Sequence, residues 1–85
     1  MLTVEELKQL MPDKVVDARG TACPGPLLEA KRSMAAVQVG QIMEVQSSDP
    51  GTQRDIPRWS EKMGHDFLGV IEIDGYAKIF IKKLK

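Results

Sequence analysis

The sequence predicts a mixed α/β fold of order βαβαββ behind a short leading helix, with a four-stranded mixed sheet and two helices on one of its faces. Three observations carry that prediction. Two amphipathic helical stretches alternate with β-branched runs, Gly, Pro or Asp bounds each stretch, and residues 66–85 divide at Asp74-Gly75 into two apolar runs. A strand that reaches its parallel neighbour through a helix makes a right-handed crossover, which leaves both helices on the same side of the sheet.

Leu2, Val4, Leu7 and Leu10 fall at helical spacing, and Thr3 followed by Glu6 reads as a capping box, which predicts a helix over 3–10. Pro12 and Asp13 end it. Val15 and Val16 then open a strand over 14–18 that runs into Arg19-Gly20. From Pro24 to Val37 the apolar stripe Leu27, Ala30, Met34 and Val37 leaves Lys31, Arg32 and Ser33 outside, an amphipathic helix that stops near Gly40. Met43 and Val45 alternate with Glu44 and Gln46 in a strand over 41–47. Asp49-Pro50-Gly51 is turn chemistry, and Thr52 with Asp55 resembles a helix start, with Ile56, Trp59 and Met63 on one face. Proline inside a helix costs about 3 kcal/mol, so Pro57 moves the expected start of regular helix to Asp55 or Ile56. Gly64 ends that helix. Asp74-Gly75 suits a type I′ turn between strands 67–73 and 76–83.

Composition narrows the function classes. A chain of 85 residues is one small domain, and 42% hydrophobic with 28% charged residues is ordinary for a globule. No apolar run approaches a bilayer span and the amino terminus lacks the order of a secretory signal, so a cytoplasmic chain without membrane insertion is expected. Twelve Lys and Arg balance twelve Asp and Glu, which removes the broad attraction behind non-specific nucleic-acid binding, and no direct nucleic-acid contact is expected. The single cysteine, Cys23, can form neither an internal disulfide nor a thiolate zinc site. No metal and no cofactor is expected, and a monomer is the default.

Chemistry concentrates in Val16-Asp17-Ala18-Arg19-Gly20-Thr21-Ala22-Cys23-Pro24-Gly25-Pro26-Leu27, which places the thiol between a strand end and a helix start. A helix N-terminus carries about half a positive charge and favours thiolate over thiol. Pro24 or Pro26 can be the first helical residue, where proline wastes no hydrogen bond, and the sequence does not choose between them. Gly25 removes bulk beside the sulfur. Against this stands the plain alternative that a free cysteine is most often a small buried hydrophobe.

The run VDARGTACPGPLLEAKRSM, then G-x-x-M-E-V, then SSDPGTQRDIPRWSEKMGH, resembles the TusA/SirA-like family of small sulfur carrier proteins with its C-P-x-P motif. The likeness spans Val15 to Lys83 and rests on separated blocks in order: D-x-R-G, C-P-x-P, D-P, D-I-P and G-H. It implies a TusA-like domain over 14–85, built as a two-layer α/β sandwich, behind an extension over 1–13. It also implies that Cys23 is the persulfide-forming nucleophile of a sulfur relay, a sulfurtransferase-type carrier more than a self-sufficient enzyme, with Pro24, Gly25 and Pro26 as its setting. The implied partners are a sulfur donor protein, of cysteine desulfurase or rhodanese type, and a downstream acceptor protein. The resemblance leaves open tRNA thiolation, molybdenum cofactor assembly, sulfur oxidation and selenium handling. Thr21 stands where the family has leucine, and many relatives lack the extension, which either docks a partner or covers an apolar patch.

Four further residues are candidates. Asp17 and Arg19 alternate just before the motif, so Arg19 either pairs with Asp17 at the strand end or holds a partner's carboxylate near Cys23. Lys31 and Arg32 either form a basic docking rim or are ordinary solvated helix charge. His65, at a helix end that favours a charged imidazole, reads as structural. Tyr76 and Phe80 share a strand face with Lys78 and Lys82, the feature that a rival single-stranded RNA-binding reading would use.

Overall fold

Thr3 opens the first helix in the computed structural model, which describes residues 1–22 and 24–85. Its hydroxyl accepts from the Glu6 N–H at 3.2 Å and the Glu6 carboxylate accepts from the Thr3 N–H at 3.0 Å, so two donors that a helix start orphans are satisfied. This helix, α1, spans Val4–Lys8, shorter than expected because Gln9 and Leu10 turn more tightly onto the carbonyls of Glu6 and Leu7.

The chain continues as β1 (Lys14–Asp17), α2 (Gly25–Met34), β2 (Ile42–Ser47), α3 (Pro50–Lys62), β3 (Asp66–Ile73) and β4 (Tyr76–Lys82). Each strand ends within one residue of its expected boundary. The sheet order is β1-β2-β4-β3, with β1 parallel to β2 and the other two pairs antiparallel.

Alternation along the strands sorts the residues onto two faces. Val16, Met43, Val45, Ile79 and Ile81 meet Ala30, Met34 and Val37 from the α2 segment and Ile56 from α3, forming the main core. On the other face Leu68, Ile71 and Phe80 meet Leu7 of α1. The seat for Leu7 is Gly69, at φ +150° beside a register shift between Phe67 and Gly69, where an added Cβ would lie 2.8 Å from Leu7 Cδ1. A bare backbone at a bulge thus admits the leucine. The Leu2 N–H also donates to the Leu68 carbonyl at 2.7 Å. The extension therefore covers an apolar patch on the sheet, the plainer of its two expected roles.

The third helix corrects the sequence reading. It starts at Pro50, with Asp49 as N-cap accepting from the Gly51 N–H, and not at Asp55 or Ile56. Pro57 lies inside it and deprives the Gln53 carbonyl of its helical donor. Thr52, Ile56 and Ser60 repeat at four-residue spacing on the buried face, and that burial outweighs the proline penalty. At the end of α2, the Lys83 ammonium donates to the carbonyls of Met34 (3.0 Å) and Val37 (2.7 Å), a tertiary cap that satisfies groups the helix leaves open.

Candidate functional site

The strand-to-helix loop is stitched to the neighbouring β2–α3 loop one backbone group at a time. The Ala18 N–H extends the ladder to the Gln46 carbonyl at 2.9 Å, the Gly20 N–H donates to Ser48 Oγ at 2.9 Å, and the Thr21 N–H folds back to the Ala18 carbonyl at 3.3 Å. Gly20 turns the chain at φ +80°, a conformation that favours glycine. Gly20, Thr21 and Ala22 face Ser48, Asp49 and Pro50 across a groove of ≈ 270 Å³.

Cys23, placed by the sequence at this loop, lies outside the described residues, which include both of its neighbours. Pro24 is exposed and acts as N-cap of α2 at φ −93°. Neither proline is the first helical residue: Gly25 is, and Pro26 follows it, fully buried. Proline at N-cap and at the second position costs no helical hydrogen bond, while Gly25 donates its N–H to the Ala22 carbonyl at 2.9 Å. A Cβ on Gly25 would collide with Thr21 Cγ2. Glycine at this position is thus also favoured by the threonine four residues before it.

Asp17 and Arg19 are brought together. The guanidinium donates through Nε to Oδ1 at 2.8 Å and through Nη2 to Oδ2 at 3.0 Å, and the Arg19 backbone N–H donates to Oδ1 at 3.2 Å. These bonds hold the Asp17 carboxyl down at about 2 and raise Arg19 above its ordinary value. Arg19 also lies over the Tyr76 ring, 5.1 Å from its centroid, so the start of β4 supports the end of β1. The sequence offered Tyr76 only as part of a nucleic-acid-binding strand face, not as a neighbour of Arg19. Its place beside Arg19 follows from sheet order, which strand patterns do not reveal.

Lys31 and Arg32 lie apart from the loop, about 9 and about 10.5 Å along the axis of α2 from Gly25 at 1.5 Å per residue. Arg32 pairs with Glu29 at 3.3 Å. Lys31 lines a cleft of ≈ 480 Å³ with Lys62, Lys83 and Lys85, walled by Trp59 and Met63. His65 sits in the same cleft and accepts the Leu84 N–H on Nδ1 at 3.2 Å. Burial, then Lys83 and Lys85, lower its pKa, which favours the neutral imidazole against the pull of the helix dipole. Phe80, offered by the sequence as a stacking surface, is buried against Leu7. Among the described residues no three His, Cys, Asp or Glu come together to hold a metal, and no helix is long and apolar enough to cross a membrane.

A four-stranded mixed sheet backed by two helices, with a proline-bracketed loop feeding the first of them, defines a small α/β sandwich of the SirA-like kind. A crystal structure of a SirA-like protein from Desulfitobacterium hafniense superposes with a TM-score of 0.75, covering 85% of this chain and 99% of that one at 24% identity, which establishes the fold. The chain belongs to the TusA family: the family model described as "Sulfurtransferase TusA" matches residues 14–83. A protein of Archaeoglobus fulgidus is 48% identical over 71 residues, 84% of this chain and 97% of its own length. The sulfur carrier protein TusA of Pseudomonas entomophila is 32% identical over 77 residues, 91% of this chain and 96% of its own. That of Allochromatium vinosum is 34% identical over 71 residues, 84% and 93% respectively.

Proposed function

We propose that the protein accepts sulfane sulfur on Cys23 as a persulfide and passes it to an acceptor protein. The observation that carries this reading is the position of the lone cysteine in the sequence, between the stitched turn at residues 18–22 and the N-cap of α2, in a chain of the sulfur carrier family. The positive end of a ten-residue helix favours a thiolate there.

Cys23 thiolate attacks the outer sulfur of a donor persulfide. The donor's S–S bond breaks, its thiolate leaves with the electron pair, and a new S–S bond joins the sulfur to Cys23. An acceptor thiolate then repeats the attack, and Cys23 departs as thiolate. One S–S bond forms for each one broken, so no oxidant is consumed. With no second cysteine in the chain, no internal disulfide can expel the sulfur as sulfide. Donor and acceptor are separate proteins met in turn, in the cytoplasm, and the cationic cleft that includes Lys31 offers an acidic partner a complementary surface.

Intact-mass analysis after incubation with a cysteine desulfurase and cysteine, or a rhodanese and thiosulfate, tests the reading. Wild type should gain the mass of one or more sulfur atoms, removable by a reductant, and Cys23→Ser should gain none. Equal gain by both proteins, or none by wild type under conditions that load another TusA-family carrier, overturns it.

A further inference from the structure

A second concave site lies on the sheet face away from α2 and α3. Between α1 and the β3–β4 turn is a groove of ≈ 480 Å³, within the size range of small-molecule sites. Leu7, Ile71 and Phe80 line it as buried apolar surface, and Val4 and Ile73 contribute apolar walls that are 48% and 39% exposed. Glu44 of β2 lines the same groove and is only 5% exposed.

The Glu44 carboxylate accepts a hydrogen bond from the Gln46 side-chain amide to Oε2 at 2.7 Å. Among the described residues no lysine or arginine forms an ion pair with it. A carboxylate offers about four acceptor positions, and burying its charge without a counter-ion is costly. The other charged residues of the groove, Lys8 and Lys78 against Glu72 and Asp74, cancel formally, so Glu44 sets its sign.

We propose that this groove binds a small primary amine with a short apolar chain, its ammonium on the Glu44 carboxylate and its chain against Leu7, Ile71 and Phe80. Charge complementarity selects the ammonium, the apolar walls select the chain, and the volume selects a small molecule. The site is distinct from the Cys23 loop and does not depend on sulfur transfer. Val4 and Leu7 belong to α1, outside the stretch of chain that matches the family model.

Titrating the full, isotope-labelled chain with hexylammonium and following its backbone amides by NMR tests the proposal, with hexanoate as control. Saturable shifts are expected at the groove residues, and Glu44→Gln should bind roughly tenfold or more weakly, as loss of a hydrogen bond to a charged group implies. Ile73→Lys, a substitution at the exposed rim that sets a competing ammonium at the mouth, should weaken binding similarly even where Glu44→Gln does not fold. Absence of saturable shifts, an equal response to hexanoate, or unchanged affinity in the folded variants overturns the proposal.

Discussion

Thr21 Cγ2 lies where a Cβ on Gly25 would sit, and this makes a signed prediction. Gly25→Ala should destabilise the protein by about 1–3 kcal/mol through overpacking against Thr21 Cγ2. Thr21→Ser removes that methyl, so the double variant should recover most of the loss, because alanine is otherwise the better helix former. A double-mutant cycle by urea denaturation checks this, and additive losses would refute the contact. Asp17 gives a second residue-scale outcome. Its folded pKa, about 2, lies below the ordinary carboxylate value, so its contribution to stability is present above about pH 4 and is lost as pH falls toward 2. An NMR titration of the Asp17 carboxyl should show a midpoint near 2 in wild type and a higher one in Arg19→Gln, still below the ordinary carboxylate value because the backbone N–H of residue 19 continues to donate to Oδ1. The Asp17 and Arg19 pairing was legible from their spacing on a strand end. The Tyr76 ring beneath the guanidinium was not, because β4 follows β3 in sequence but sits beside β2 in the sheet.

At the scale of elements, α3 tests how much burial offsets an unfavourable residue. Pro57→Ala should stabilise the protein by about 1–3 kcal/mol by restoring an N–H to the Gln53 carbonyl and removing the ring clash. Thermal denaturation of the variant would show a higher midpoint, and a lower one would mean that the helix is shaped around the proline. The same residue explains why the start of α3 was misplaced in sequence. Local propensity weighed Pro57 against the helix, whereas tertiary burial of Thr52, Ile56 and Ser60 decided the matter. The strands were legible because period-two patterning and the Asp74-Gly75 turn agree. Phe80 was misjudged as exposed because alternation tells which residues share a face and says nothing of what covers it.

For the molecule as a whole, the sheet has two unequal coverings. The face under α2 and α3 holds the larger core, all of it within the stretch of chain that matches the family model. A chain lacking residues 1–12 should therefore stay folded while exposing Leu68, Ile71 and Phe80, and sedimentation should show it self-associating where the full chain does not. Loss of the fold on truncation would make α1 an integral part of it. The seat of α1 also sets an order of events during synthesis. Residues 4–8 leave the ribosome before Leu68, Ile71 and Phe80, on which they rest. Five residues are too few to hold a helix alone in water. That helix must wait, unfolded, until β3 and β4 have emerged, and its docking then closes the sheet face they leave exposed.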